Sequence, residues 1–599
     1  VLHPYIRKDR KPRRPFQALN WEDALSIFTE KLQHVLKEHG PESVLHLEYG
    51  GNGGLLTWHF PLRFWNAIGA TKTDYSICSK SGHEALVLHY GSSSGIQPEK
   101  LSEQRLIVYW GFNSAVSSPH MWQLSQKARK RNDATIVVVD PRKSQSANLA
   151  DIWLAPKPGS DVALTFGLIR FLIENEYVDM DFIKKWTKGY EQLKGEAMRW
   201  TPKKVEAATG VEWRLIEQLG EAYGVQKPSA TMIGLGIQKN HHGAEAVRAI
   251  ALLPALVGLH RGFFYSNSKA YKVDLPYLTG EKLTKHKIRT VSQVALGPII
   301  ERGDFKFIFI FNMNPVLTLP RQSAFRKGLS RSDVFVVVHE THWTETTEYA
   351  DLVLPAPTFL EKEDLVIPWG HHYVRLSKKC IEPHGESRDE VWIMQEFAKR
   401  MGLEDEWLYE DPWRVVETAL ENALEDGTFT NLLEGKILKL LSDPIQVYPT
   451  PSGKIEIFSS LAKKIRIRPI PEHTPLKLKK GDFVLLNSAL SKYTHTQFQE
   501  VYGPIPAIVQ IHPEDAESND IQEGDVITLL NEQGQVGVKV QISSSVQPGI
   551  LWSPRQFVGL KGESHNSLTS GQPQIIGKGS VYNSTIVRIT KGRHSKKKL

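Results

Sequence analysis

One pattern occurs twice in this chain, and it limits the fold more than any other feature. Arg105 to Trp110 is an apolar strand-like run that ends in Gly111-Phe112-Asn113-Ser114-Ala115, and a helical pattern follows. A second such run, Ala134 to Val139, ends in Asp140-Pro141-Arg142 and leads to Ala150-Asp151-Ile152-Trp153-Leu154. In the second half the order returns: Phe305 to Phe311, Asn312-Met313-Asn314-Pro315, Val334 to Val338 ending in His339-Glu340, then Ala350-Asp351-Leu352-Val353-Leu354. The interval from Asn113 to Asp140 nearly equals that from Asn314 to His339. Near-continuous apolar runs separated by helical patterns are what parallel strands covered on both faces require. Two similar α/β units are therefore predicted.

The surrounding text agrees. Asn20, the amphipathic run Trp21 to Glu38 and Gly40 give an N-cap, a helix and a glycine stop in order. A strand, Ser43 to Glu48, and a glycine cluster, Gly50-Gly51-Asn52-Gly53-Gly54, follow. From about residue 481 the texture changes to short alternating strands such as Phe483 to Leu486, Val526 to Leu530 and Val536 to Ile542, punctuated by Gly524, Gly534 and Gly549. This stretch reads as a separate, mainly β domain. Ile465 to Lys480, rich in Pro, Lys and Arg, reads as a linker.

Bulk properties exclude several classes. A chain of 599 residues, 41% hydrophobic and 23% charged, calls for several packed domains. The net charge of +8 includes a basic start, Arg7 to Arg14, and a basic end at Lys591, Arg593, Lys596, Lys597 and Lys598. No aromatic residues interleave these runs, so they read as solvated tails and no nucleic-acid partner is expected. The two cysteines, Cys78 and Cys380, cannot form a disulfide framework or a four-cysteine cluster site, which fits a reducing, cytoplasmic setting. The longest apolar stretch, Ala249 to Leu259, is broken by Pro254 and is far shorter than the roughly 20 residues that span a bilayer.

In a doubly wound sheet, ligands bind beyond the carboxyl ends of the strands, where helix N-termini offer amides to phosphate. Asn113 and Asn314 stand at such ends, and an acid at the end of the next strand, here Asp140, suits ribose hydroxyls. Neither unit has the three-glycine nicotinamide fingerprint, because Gly234-Leu235-Gly236 is followed by Ile237-Gln238-Lys239. Two units of one layout ask for two dinucleotides.

These segments resemble the signatures of the molybdopterin-dinucleotide oxidoreductases of the DMSO reductase family across roughly residues 16 to 590. The match runs through Trp110-Gly111-Phe112-Asn113-Ser114-Ala115, Asp140-Pro141-Arg142, Pro158-Gly159-Ser160-Asp161, Asn312-Met313-Asn314-Pro315 and Thr344-Glu345-Thr346. In the last domain it takes in Ile511-His512-Pro513-Glu514-Asp515-Ala516, Gly524-Asp525, Pro548-Gly549 and Asn566-Ser567-Leu568-Thr569. The resemblance implies two interleaved doubly wound dinucleotide-binding α/β domains and a C-terminal, double-psi-like β-barrel. Residues 1–103 and 301–464 would form one α/β domain, 104–300 the other, 465–480 the linker, 481–590 the barrel and 591–599 a basic tail. It also implies two guanine dinucleotide pterins, whose dithiolene sulfurs hold molybdenum or tungsten. Asp140 would bind ribose or guanine of one pterin, Asp161 its guanine, and Asn113 and Arg142 its phosphates, with Gly111, Gly159 and Gly236 lining that site. Asn312, Asn314, His339, Thr346 and Asp351 would serve the second pterin. His495, Thr496 and Asn566 lie in loops that close over both.

Cys78, in Asp74-Tyr75-Ser76-Ile77-Cys78-Ser79-Lys80, stands where this family places its metal ligand, and a soft thiolate suits molybdenum. His83 is a candidate proton-transfer group, with a hydrogen-bonded structural role as the other reading. Cys380 matches no ligand position, and His371-His372 depart from the family pattern without offering a metal site. Relatives carry a [4Fe-4S] cluster ahead of this region. Val1 opens in what reads as mid-domain text, so we expect the full-length protein to hold that cluster through cysteines absent here; a cluster-free member is the alternative. The expected activity is oxygen-atom or hydride transfer on a small substrate such as formate, nitrate or a sulfur compound, with electrons passed to a redox protein. A non-redox hydratase or hydroxyl-transferring relative, or a metal-free scaffold like a complex I subunit, are the alternatives.

Overall fold

The computed structural model describes residues 1–12 and 15–591, so Arg13, Arg14 and the basic tail beyond Lys591 lie outside the described residues. The chain forms two compact units, Val1–Tyr75 with Tyr271–Ser442, and Ser76–Ala270 with Asp443–Leu599. The chain crosses between them at residues 75, 270 and 442, where breaks near 103, 300 and 464 were expected. The reason lies in packing. Helix Lys80–Tyr90 belongs to the core of Leu106–Trp110, although it precedes that strand by a long loop.

In the first unit, a six-stranded sheet runs in the order Phe16–Ala18, Tyr5–Arg7, Leu352–Pro355, Phe335–Glu340, Phe307–Phe311, Val44–Glu48. Its last four strands are parallel, with Phe311 opposite His339 and Val338 opposite Val353. Phe307–Phe311 and Val44–Glu48 are buried along their whole length; the first is apolar throughout, and the second carries His46 and Glu48, paired at 2.7 Å. Helix Trp21–His39 covers one face through Leu25, Phe28, Leu32 and Val35; Asn20 caps it by accepting from Asp23 N, and Gly40 ends it at φ 74°. The ring of Phe28 stacks on Phe397 with centroids 3.4 Å apart.

In the second unit, five parallel strands run Phe263–Phe264, Ser229–Ile233, Leu106–Trp110, Thr135–Val139, Ile152–Leu154. Helix Gly243–Leu256, buried almost throughout, absorbs the apolar stretch around Pro254. No helix among the described residues is long and apolar enough to cross a membrane. The C-terminal part closes a six-stranded barrel in the order Phe483–Ser488, Ile550–Pro554, Ile508–Ile511, Gly534–Ile542, Val526–Asn531, Thr585–Lys591. The barrel sits over the carboxyl ends of this unit's sheet: Gln547 Nε2 donates to the carbonyls of Pro141 and Ala155, and Lys143 N donates to Ser545 O at 2.8 Å. Residues 465–480 are not loose. The buried Arg248 guanidinium straps the carbonyls of Arg468 and Pro469, both at 2.9 Å.

The near-repeat extends to one side-chain clamp. Asp151 accepts from Ile136 N at 2.7 Å and Asp351 from Val336 N at 2.8 Å, each at the amino end of the second strand of its unit. Asp351 pairs with Lys11, whose side chain is 5% exposed; Asp151 pairs with Arg129, at 30%. Asp351→Asn strands a buried ammonium and should cost about 3 kcal/mol. Asp151→Asn should cost about 1 kcal/mol or less. Thermal unfolding of the two variants checks the order.

Candidate functional site

At the carboxyl ends of the strands, each unit ties two loops together through one asparagine. Asn113 Oδ1 accepts from Ser146 N at 3.1 Å and Ser146 Oγ at 3.0 Å, Asn113 Nδ2 donates to Gln145 Oε1 at 3.0 Å, and Ala115 N donates to Ser146 Oγ. In the other unit, Asn314 Oδ1 accepts from Thr346 Oγ1 at 2.6 Å, Asn314 Nδ2 donates to Glu345 Oε2 at 3.0 Å, and Val316 N donates to Thr346 Oγ1. Of the side chains expected at phosphates, Asn113 thus shapes its loop through Ser146 and Gln145, and Asn314 shapes its own through Thr346 and Glu345. Ahead of each asparagine the backbone turns left-handed, at Gly111 (φ 60°) and at Asn312 (φ 54°). A Cβ on Gly111 would meet Ile237 Cδ1 at 2.4 Å, and one on Gly51 would meet Asn312 at 2.9 Å, so glycine is needed at both. Asn312 Nδ2 also donates to Thr57 O at 3.0 Å.

Strand register corrects two expectations. Trp110 lies opposite Val139 and Phe311 opposite His339, so the residue that corresponds to Asp140 is Glu340. His339 is inside the strand, buried, with Nε2 on Arg388 O at 3.0 Å; desolvation lowers its pKa to about 4 and keeps it neutral. Glu340 was missed, although counting back from the paired Asp151 and Asp351 finds it. Asp351, expected at the second pterin, sits at the opposite end of the sheet in the clamp with Val336 and Lys11. Both strand-end acids are perturbed by burial: Asp140 is raised to about 6 and Glu340 to about 7.

Around Asp140 the groups fit a dinucleotide. Asp140 Oδ1 accepts from Arg142 N at 2.9 Å, and Oδ2 has no partner among the described residues, open to a hydroxyl or N–H donor. The Arg142 guanidinium lies 4.5 Å over the Trp552 ring. Asp161 Oδ1 accepts from Trp110 Nε1 at 2.9 Å. A shallow cleft opens beside Gly159 (φ 81°) and Asp161, walled by Asn240, His241, His242 and Leu476. The carbonyl of Gly236 accepts from Asn583 Nδ2, and Gly236 does not line this cleft.

The loop that carries Cys78 is pinned by residues far away in sequence. Gln238 Nε2 donates to Cys78 O while Gln238 Oε1 accepts from Gly82 N at 2.7 Å; Lys239 Nζ donates to Ile77 O, to Cys78 O at 2.8 Å and to Ser580 Oγ at 3.1 Å. Burial lowers Lys239 to about 8, opposed by the Cys78 sulfur and reinforced by Arg555. Segment 577–579 presses on the start of helix Lys80–Tyr90: Gly579 N donates to Ser81 Oγ at 2.8 Å, and a Cβ on Gly577 would meet Ser81 Cα at 2.5 Å. None of these partners carries a short motif, which is why sequence reading missed them. His83 is held between Ser93 Oγ at 2.7 Å and Ser268 Oγ at 2.9 Å, and desolvation lowers it to about 3. Burial disfavours its charged form, and both ring nitrogens have serine partners, as the hydrogen-bonded structural reading requires. Cys380 is exposed. In the barrel, His495 (φ 53°) bonds Gln556 Nε2 at 3.3 Å, Asn566 is buried with its carbonyl accepting from Thr569 Oγ1, and Thr496 O accepts from Gln499 Nε2.

Among the described residues no group of three or more His, Cys, Asp or Glu could hold a metal. A metal at Cys78 would therefore bring its remaining ligands with it, as dithiolene sulfurs would.

Comparisons with known proteins agree with this geometry. Residues 1–400 match the family model "Molybdopterin oxidoreductase" and 483–586 match "Molydopterin dinucleotide binding domain". The chain is 31% identical to "Probable oxidoreductase YoaE" of Bacillus subtilis, over 98% of this chain and 90% of that protein. It is 25% identical to "Dimethyl sulfoxide reductase DmsA" of Escherichia coli, over 99% and 85%. Acetylene hydratase from Pelobacter acetylenicus shares the fold with a TM-score of 0.84 at 20% identity, covering 99% of this chain and 92% of that one.

The raised Glu340 makes stability depend on pH. The unfolded carboxyl releases its proton near its ordinary value while the folded one holds it to about 7, so the folded state loses stability as pH rises through this window. The stability difference between the cofactor-free wild type and Glu340→Gln, read from their unfolding midpoints, should shift against wild type as pH rises from 5 to 8.

Proposed function

This chain belongs to the molybdopterin oxidoreductase family, and from that premise we propose a two-pterin molybdenum or tungsten enzyme with Cys78 as the protein ligand. It would transfer an oxygen atom or a hydride equivalent on a small substrate. The observation that carries this reading is the matched pair of strand ends, each with a latched loop and a half-buried acid, Asp140 in one unit and Glu340 in the other. Two equivalent ends suit two equivalent ligands.

In this reading Asp140 and Glu340 accept hydrogen bonds from ribose hydroxyls or guanine N–H groups, and Asp161 takes a second guanine edge beside Gly159. Arg142, stacked on Trp552, offers its N–H groups to phosphate. Cys78 is presented on a loop whose carbonyls are already spent on Gln238 and Lys239, so the sulfur is delivered in a fixed place. His83, kept uncharged by burial, orients helix Lys80–Tyr90 through its two serines. When bound, the group supplies a metal that exchanges two electrons with substrate. A redox protein partner that exchanges electrons with the metal completes the reading.

Protein from a host replete in molybdenum and tungsten should carry one of these metals together with guanine dinucleotide pterin, by elemental analysis and pterin fluorescence. Metal-free and pterin-free protein from such a host would defeat the proposal. Cys78→Ala should abolish turnover and keep pterin content, whereas Asp140→Ala combined with Glu340→Ala should lower pterin content.

A further inference from the structure

We propose that Tyr75 is a redox-active tyrosine that hands its proton to Glu48, and that Trp58 and Trp369 join it to the protein surface as a path for electron vacancies. All four residues lie in the first unit, and the assignment goes beyond the pterin reading without depending on it.

The first observation is a phenol with a base already in place. Tyr75 OH donates to Glu48 Oε1, and Glu48 Oε2 lies 2.7 Å from His46 Nδ1. Glu48 and His46 are each 1% exposed, so the carboxyl group is shut off from solvent. Elsewhere, the phenols of Tyr90 and Tyr265 donate to backbone carbonyls, which cannot take up a proton. Burial and then the Glu48 charge hold the Tyr75 phenol well above its ordinary range, so its proton stays until an electron leaves. Oxidation makes a phenol strongly acidic, and the electron leaves readily only where a base waits within hydrogen-bond reach. Tyr75 also takes φ 51°, a left-handed backbone that bulky side chains avoid, so the fold keeps this ring beside Glu48 in spite of strain.

The second observation is a succession of rings that leads outward. The Tyr75 ring centroid is 6.2 Å from that of Trp58 and 6.2 Å from that of Tyr49, and Tyr49 and Trp58 are 5.8 Å apart. Trp58 and Trp369 meet over Gly50: a Cβ there would lie 3.7 Å from Trp58 Cζ3 and 3.4 Å from Trp369 Cη2, and glycine keeps that space free of a side chain. Trp369 is 41% exposed. Trp58 Nε1 is buried without a partner, so an oxidised indole there has no acceptor for its proton and does not trap the vacancy. Tyr75, with its carboxylate, is where the vacancy comes to rest.

A one-electron oxidant of the peroxide-derived radical class takes an electron from Trp369 and is itself reduced by one electron; electrons then shift from Trp58 and Tyr75 in turn. At Tyr75 the O–H bond breaks, the proton moves to Glu48 Oε1, and a neutral tyrosyl faces a carboxylic acid. Return of one electron and that proton restores both groups. The path therefore stores a strong oxidising equivalent in reversible form.

The test uses the full chain with flash-generated tris(bipyridine)ruthenium(III) as the oxidant, read by freeze-quench electron paramagnetic resonance in wild type, Tyr75→Phe, Glu48→Gln and Trp369→Phe. Wild type should give a neutral tyrosyl signal that forms more slowly in deuterium oxide, because a proton moves with the electron. Tyr75→Phe should lose that signal, Glu48→Gln should weaken it, and Trp369→Phe should delay it. A nitroso spin trap followed by peptide mapping should place the adduct on Tyr75 in wild type, a readout that needs no substitution. Wild type without a tyrosyl, an adduct on another tyrosine, or an equal signal in Tyr75→Phe would overturn the assignment. Equal yield and rate in Glu48→Gln would overturn the proton transfer, and an unchanged rate in Trp369→Phe would overturn the path. Protein without metal carries the same residues, so absence of metal defeats the preceding reading and leaves these outcomes as they are.

Discussion

An asparagine that spends its side chain on the neighbouring loop is the interaction from which the rest of this architecture follows. Beyond the carboxyl ends of parallel strands, loops have no ladder to hold them, and their backbone groups must find partners elsewhere. Asn113 and Asn314 solve this in the same way, by gripping a hydroxyl in the loop after the next strand, Ser146 Oγ or Thr346 Oγ1. The latch fixes the spacing between two loops, and with it the position of the acid at the end of the second strand. A ligand then meets groups that need no further ordering, so its binding is not weakened by the entropy of fixing them.

Much of this could be read from the sequence, and what could not has a physical reason. The apolar runs and the two asparagines announced both sheets, because a strand buried on both faces cannot hide its composition. Asn20, Trp21–His39 and Gly40 announced a helix through local capping chemistry. The errors concern facts that sequence order does not hold. Asp351 follows His339 in the chain and was placed with it, yet the connection between the strands returns the chain to the amino end of the sheet. His339 was preferred to Glu340 by one residue, a slip that reverses which side chain points out of the strand. The partners of Cys78, namely Gln238, Lys239 and Ser580, come from segments with no sequence signal beyond their residue type.

The loop around Cys78 shows a second way of fixing a functional group. Its carbonyls, not its side chain, take the bonds, so the sulfur is left as the projecting atom while Lys239 and Gln238 hold the chain behind it. Glycines at 577 and 579 allow the barrel strap to lie against Ser81, where any side chain would collide with backbone or with Ser81 Oγ. Replacing either glycine would therefore disturb the Cys78 loop from a position more than four hundred residues away in sequence.

The two strand-end sites have diverged within a shared frame, and the differences have consequences for what each can hold. Gly111 and Asn312 occupy the same left-handed position, but only Asn312 has a side chain to bond Thr57 O, so the turn of the first unit is tied down where that of the second is not. Asp140 is followed by Arg142 on an indole face, whereas Glu340 bonds back to Thr341 N at 2.9 Å and has no such cation two residues on. The second unit therefore pairs its acid with a guanidinium in one short loop, while the first has no cation two residues after its acid. Identical ligands would be held by these ends with unequal strength. The repeated frame thus makes two sites, and its unequal decoration sets them apart energetically.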